Sequence, residues 1–273
     1  MPPTFLVVPQ WQGSGSSRAM RLAEGAEAIR GDLPTASTVA LEIPMDAGSS
    51  QGTSVRRLSS LEQVRDSMVL ALGKLNGLVI TIGGDCGVDL TGIAVANAKN
   101  DSMALVWLDA HADLNTPESS PSGAFHGMVM RTLLGDGPAE LVPDVPIAPE
   151  RLIYGGLRAL DDGEANYLEA SGIRVLPPTE LGAATITRAL LETGASSVYL
   201  HIDLDVLDPA EIEGIGYPEP FGVELTTLLD VITAVKKSLP LVGAAITEFA
   251  PASPEAAPED LGSILRILGA LTS

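Results

Sequence analysis

Cysteine is almost absent from this chain. Cys86 stands alone among 273 residues, so no intrachain disulfide can form and a reducing, cytoplasmic setting is expected. Basic residues are scarce too, 16 against 35 acidic ones, for a formal charge of −19. That imbalance opposes nucleic acid and anionic membrane surfaces and favours a small cationic partner. No apolar run approaches the roughly 18 residues that span a bilayer. The start Met1-Pro-Pro-Thr-Phe-Leu-Val-Val lacks the basic head and long apolar stretch of a signal peptide, so no leader is expected.

Hydrophobic residues, at 45%, can supply a full core, and one domain over residues 1–273 is expected. Apolar runs alternate with helical-period segments: Phe5–Val8 then Ser17–Arg30, Thr38–Ile43 then Ser60–Leu75, Leu78–Ile82 then Val88–Ala98, Met103–Leu108 then Gly127–Leu134. Arg151–Tyr154, Ile173–Leu176, Ser197–Leu204 and Leu241–Thr247 continue the pattern, each followed by a helical segment. Such alternation predicts an α/β fold with a mostly parallel sheet of about eight strands, covered on both faces. An open sheet is favoured, and a closed (β/α)8 barrel fits the same alternation. Ser60-Leu-Glu-Gln63 has the form of a capping box for the second helix.

Two strands end in acidic clusters. Asp109-Ala-His111-Ala-Asp113 follows Met103–Leu108, and Asp203-Leu-Asp205 follows Ser197–Ile202. Residues two apart in an extended segment point to one side, so each cluster can aim its ligands at one point. Aspartate at a strand end also caps helices, but two clusters closing two apolar strands exceed that need. Four carboxylates and an imidazole suit two ions sharing bridging carboxylates. Gly83-Gly-Asp-Cys86 and Glu248-Phe-Ala-Pro251 also follow apolar runs, and ligands of parallel sheets bind beyond the carboxyl ends of the strands.

Together with Ser122-Gly-Ala-Phe-His126-Gly-Met128 and His201-Ile-Asp203-Leu-Asp205-Val-Leu-Asp208-Pro209, these motifs closely resemble the arginase/agmatinase (ureohydrolase) family, in the family's order across Gly83–Pro251. The resemblance implies a three-layer αβα sandwich and an amidinohydrolase carrying two Mn²⁺ ions. Asp109 and Asp203 would bridge the ions, Asp113 would complete the first site, and His111 and Asp205 would bind the second. Water activated there would attack a guanidino carbon, releasing a urea and an amine. His126 matches the histidine that shuttles protons to the leaving amine, and Glu248 the carboxylate that fixes the guanidinium. Family members form trimers or hexamers, which implies a homo-oligomer.

Cys86 departs from the family's Gly-Gly-Asp-His, whose histidine is the remaining ligand of the first ion. A thiolate is softer than imidazole and reaches less far, so Cys86 as a ligand is expected to hold that ion weakly; a buried, inert cysteine is the other reading. Asn115 and Ser122 match residues that hold the α-carboxylate of an amino-acid substrate, and Asp161 matches the acid that meets its α-amino group. Ala124 and Ala250 stand where asparagines are common, and Tyr217 where a threonine near the guanidino end is common. His201 has no ligand role in the family and reads as a structural strand residue. With Cys86 foremost, the pattern most resembles the members that split Nω-hydroxy-L-arginine into L-ornithine and hydroxyurea for antibiotic biosynthesis. An ordinary arginase or another guanidino-acid hydrolase is the alternative. Outside metal hydrolysis stand a cysteine nucleophile, using Cys86 with His126 or His111, and a metal-poor binding protein.

Overall fold

Near-continuous apolar runs become strands in the computed structural model, which describes residues 2–273, buried at the centre of the sheet and more exposed at its two edges. They are β1 (Thr4–Val8), β2 (Thr38–Ala40), β3 (Val79–Gly83), β4 (Met103–Leu108), β5 (Leu152–Gly155), β6 (Arg174–Leu176), β7 (Ser197–Asp203) and β8 (Leu241–Thr247). The helices are α1 (Met20–Gly31), α2 (Leu58–Leu72), α3 (Asp89–Lys99), α4 (Val129–Leu133), α5 (Asp162–Ser171), α6 (Ala183–Glu192), α7 (Leu225–Ser238) and α8 (Ala257–Thr272). All strand pairs are parallel, in the order β2-β1-β3-β8-β7-β4-β5-β6. The three-residue strands β2 and β6 are free edges, so the sheet is open and the barrel alternative falls.

Strand alternation sorts the side chains into two apolar layers. Ala104, Val106 and Leu108 of β4 and Val198, Leu200 and Ile202 of β7 pack toward α1, α6, α7 and α8. Met103, Leu105 and Trp107 of β4 face the other way with Tyr199, toward α2, α3 and α4. The same alternation sets His201 and Asp203 on the face of Tyr199, and the β4–β7 register places His201 opposite Trp107. The central strands β3, β8, β7 and β4 are neighbours, so their carboxyl ends open onto one crevice.

Two local expectations change. β2 stops at Ala40 rather than Ile43: its partner β1 runs into Pro9, which has no amide hydrogen to extend the ladder. Ser60 does not cap α2, because the helix already begins at Leu58. The capping box instead opens α5, where Asp161 and Glu164 exchange backbone bonds. Among the described residues no helix is long and apolar enough to cross a membrane.

Candidate metal centre

A close-packed turn after β3 sets the first wall of the crevice. A Cβ on Gly84 would lie 1.7 Å from the Gln10 carbonyl oxygen, so only glycine passes there. The Asp85 carboxylate accepts the Gln10 side-chain amide and the Gly13 and Gly87 backbone amides, each at 2.9 Å. Burial still pushes its pKa up to about 6, with help from Glu248. Asp85 thus ties the turn together, and Cys86 follows it into the crevice. The Cys86 thiol donates to Asp203 Oδ2 at 3.0 Å, and its backbone amide donates to Glu248 Oε1 at 3.1 Å.

The second wall comes from β4 and β7. The Trp107 indole N–H donates to Asp109 Oδ2 at 2.9 Å, and the His111 amide to Asp109 Oδ1 at 2.6 Å. Asp205 accepts the Ala110 amide at 2.9 Å through Oδ1 and faces His111 Nδ1 at 2.8 Å through Oδ2. Its own amide donates to Asp203 Oδ1 at 2.8 Å. Asp113 and Glu248 adopt left-handed backbone, with φ of 54° and 66°, a conformation that for a non-glycine residue concentrates at functional sites. Glu248 is fixed in it by a hydrogen bond from its backbone amide to the Gly84 carbonyl oxygen at 2.8 Å.

The result is a cleft of about 330 Å³ whose walls include Cys86, His111, Asp113, Asp203, Asp205 and Glu248 and carry no lysine or arginine. A larger cavity of about 460 Å³ opens at the opposite strand ends, beside Leu72 and Val242, but holds no carboxylate, imidazole or thiol. The acidic cleft is therefore where chemistry is concentrated.

Electrostatics inside it are those of crowded acids. Burial, then Asp205, pushes Asp109 up to about 6. Burial drives Asp113 and Asp203 well above the usual carboxylate range, with neighbouring carboxylates adding to it. Burial opposes the charge of Asp205 as well, yet hydrogen bonding to His111 holds its pKa low. Burial also works against protonated His111, but Asp109 and Asp205 override it and push the imidazole up to about 12. The Cys86 thiol is pushed up by burial and then by Asp203.

Such a set fits divalent cations. Ligand atoms of Asp109, His111 and Asp205 lie within 4.8 Å of one another, as do those of Cys86, Asp203 and Glu248, and those of Cys86, Asp109 and His201. Asp113 Oδ2 is buried with no hydrogen-bond partner, and an orphaned carboxylate oxygen among like charges calls for a cation.

Of the remaining sequence candidates, Asn115, His126, Asp161 and Tyr217 also line the cleft. The Asn115 amide donates to Asp161 Oδ2 at 2.9 Å. His126 Nδ1 lies 3.5 Å from Glu248 Oε1, and its ring centroid 5.2 Å from that of Tyr217. Burial opposes the charge on His126, but the hydrogen bond to Glu248 raises its pKa. Ser122 is exposed and lies outside the residues that line the cleft. Its hydroxyl turns back to accept the Ala124 amide at 3.1 Å, in a loop bent by Gly123 at φ +67°.

Sequence reasoning missed Asp89, Glu164 and Arg158. Asp89 accepts from the Tyr199 hydroxyl and lies 2.8 Å from His201 Nδ1; the alternation of Tyr199, His201 and Asp203 along β7 carried that signal. Glu164 accepts the Leu114 amide at 3.0 Å and so fixes the loop after Asp113. Arg158 donates to the carbonyls of Asp205 at 2.7 Å and Glu219 at 2.8 Å, clamping two cleft loops, and nothing in its local sequence announced that.

The family model described as "Arginase family" matches residues 15–262. The arginase of Entamoeba histolytica is 32% identical over 212 residues, 73% of this chain and 72% of that protein. The arginase of Bacillus subtilis is 36% identical over 153 residues, 53% of this chain and 52% of that protein. The crystal structure of the Entamoeba enzyme in complex with L-ornithine superposes with a TM-score of 0.88 at 27% identity, covering 99% of this chain and 97% of that one.

Proposed function

This chain belongs to the arginase family, and on that footing we propose that it is an amidinohydrolase that splits Nω-hydroxy-L-arginine and water into L-ornithine and hydroxyurea. The observation that carries the choice of substrate is Cys86, which puts a thiol at 3.0 Å from Asp203 at the reactive end of a cleft whose outer end keeps Asn115 and Asp161. Hydroxyurea as the product would set the chain beside the amidinohydrolases of D-cycloserine biosynthesis, the members its motifs most resemble. The relatives are named arginases, which favours as second reading the hydrolysis of L-arginine itself to L-ornithine and urea.

Asp109, Asp113, Asp203, Asp205, His111 and Cys86 would hold two divalent ions, Mn²⁺ by the hardness of the carboxylates. When bound, the ions supply Lewis-acid charge that makes water acidic enough to attack near neutral pH. The Asp161 carboxylate meets the substrate's α-ammonium and the Asn115 amide its α-carboxylate. Glu248 accepts hydrogen bonds from the guanidino nitrogens. His126, 3.5 Å from Glu248, delivers a proton to the departing ornithine amine. Tyr217, beside His126, offers a hydroxyl to the substrate's N–OH, a partner arginine lacks.

Both substrates share the amino-acid end, so discrimination rests on one N-hydroxyl. A buried hydrogen bond left unmade costs about 1–3 kcal/mol, roughly ten- to a hundredfold in specificity. Steady-state kcat/KM for the two substrates at one Mn²⁺ concentration, with hydroxyurea and urea quantified separately, is the test. An equal or higher value for arginine returns the chain to the ordinary arginases.

A further inference from the structure

His201 is fully buried, and its two ring nitrogens are treated differently. Nδ1 lies 2.8 Å from Asp89 Oδ2, and the Tyr199 hydroxyl donates to the other Asp89 oxygen. Trp107 lies flat against the ring, centroids 3.4 Å apart and planes 6° apart. Orientation is therefore fixed from behind and from one face. With Nδ1–H donating to Asp89, Nε2 carries the lone pair.

That nitrogen faces Cys86 and Thr247. Thr247 Oγ1 lies 3.4 Å away and Cys86 Sγ 3.6 Å away, the first long for a nitrogen–oxygen bond and the second a thiol that already donates to Asp203. Nε2, Cys86 Sγ and an Asp109 carboxylate oxygen lie within 4.8 Å of one another. A carboxylate behind an imidazole whose far nitrogen faces thiol and carboxylate is the arrangement by which proteins present histidine to a metal.

We infer that His201 is a ligand of the ion held by Cys86, with Asp89 as its positioning residue. The imidazole thus comes from β7 rather than from the turn after β3, and the thiol occupies the room left over. This rests on the metal centre proposed above. It replaces the reading of His201 as a strand residue with no part in the site.

The test uses the whole protein loaded with Mn²⁺ alone, and counts bound metal and metal-bound imidazole separately. In the wild type, nitrogen modulation in pulsed EPR should report two imidazoles, His111 and His201, with two ions bound. His201→Gln should lose one imidazole and weaken one of the two ions by more than the ~10–100-fold that loss of an outer partner costs. Asp89→Asn should keep both imidazoles and lose ~10–100-fold in affinity for the same ion. Two ions bound with an imidazole count unchanged in a folded His201→Gln would overturn the inference alone. Absence of bound Mn²⁺ in the wild type would overturn it together with the metal centre. Should His201→Gln fail to fold, the wild type decides, since a count of one imidazole refutes the second ligand.

Discussion

Asn115 and Asp161 meet across the mouth of the cleft, the amide donating to the carboxylate at 2.9 Å. Asp161 is also the N-cap of α5, its other oxygen accepting the Glu164 amide at 3.0 Å. The residue assigned to the substrate's ammonium thus also starts a helix, and two variants separate the roles. Asparagine caps about as well as aspartate, whereas alanine costs about 1 kcal/mol. Asp161→Asn should leave the melting temperature nearly unchanged and raise KM at least about tenfold, through lost charge at the ammonium. Asp161→Ala should raise KM similarly and also lower the melting temperature. Equal KM in Asp161→Asn and wild type would remove Asp161 from the substrate site.

Asp109 shares ligand groups with His111 and Asp205 and with Cys86 and His201, and Asp203 with Cys86 and Glu248; with the bridging roles that the family resemblance implies, removing either should disturb both ions. Asp109→Ala and Asp203→Ala are expected to abolish turnover, a loss of about a thousandfold or more, and to lower bound metal below that of the wild type by elemental analysis. Chelation of the wild type should do the same, and Mn²⁺ should restore it. Full activity in a metal-free preparation would sink the dinuclear reading.

Stability of the metal-stripped protein should depend on pH with a definite sign. Asp109 titrates at about 6 when folded, above the ~3.9 of an unfolded aspartate, so the folded state binds the extra proton between these values. Its stabilising contribution is present below about pH 4 and is lost as pH rises through about 6. His111, pushed up to about 12 when folded, contributes stability that is full below its unfolded value near 6.5 and is lost as pH rises toward 12. Both act in one direction. Thermal melts of the stripped protein should fall as pH rises from 4 to 8, beyond any slope of the Mn²⁺-loaded protein over the same range. A stripped protein that gains stability toward pH 8 would contradict the buried, crowded placement of these acids.

Much of this site was legible because chemistry and periodicity coincide in it. Asp109, His111 and Asp113 follow the end of β4, and Asp203 and Asp205 stand at the end of β7, so the strand ends alone point to the cluster, although Asp113 takes a left-handed backbone and Asp205 a 3-10 turn rather than the extended geometry their spacing suggests. The sheet was legible for the same reason, through the apolar runs that became β1, β3, β4, β7 and β8. The exposed setting of Ser122 was not legible because its loop direction depends on Gly123 and on a hydroxyl-to-backbone bond that spacing does not encode. The surroundings of His201 were not legible because its partner Asp89 belongs to α3, 112 residues away in sequence. Arg158 escaped notice because it works through backbone carbonyls, which carry no residue identity.

Cys86 and His201 should behave as a pair in mutagenesis. Taken alone, the sequence suggests that Cys86→His would strengthen the first ion and raise arginine hydrolysis, since imidazole suits Mn²⁺ better than thiolate does. The packing changes that expectation. The thiol already has Asp203 Oδ2 at 3.0 Å, Thr247 Oγ1 at 3.4 Å and His201 Nε2 at 3.6 Å around it, and an imidazole added there meets the one from β7. Overfilling a packed interior costs about 1–3 kcal/mol, so Cys86→His should lower the melting temperature and gain little metal affinity. Pairing it with His201→Ser vacates the space and moves the imidazole to the turn after β3. The double variant should recover stability, bind two Mn²⁺ and hydrolyse arginine faster than the wild type, with a non-additivity of the size seen between residues in contact, about 0.5–3 kcal/mol. Calorimetric melts, Mn²⁺ titration and arginine turnover on wild type, both single variants and the double complete the cycle. Strict additivity would mean that the two side chains do not share one space, and the account of how this cleft accommodates a thiol would fall with it.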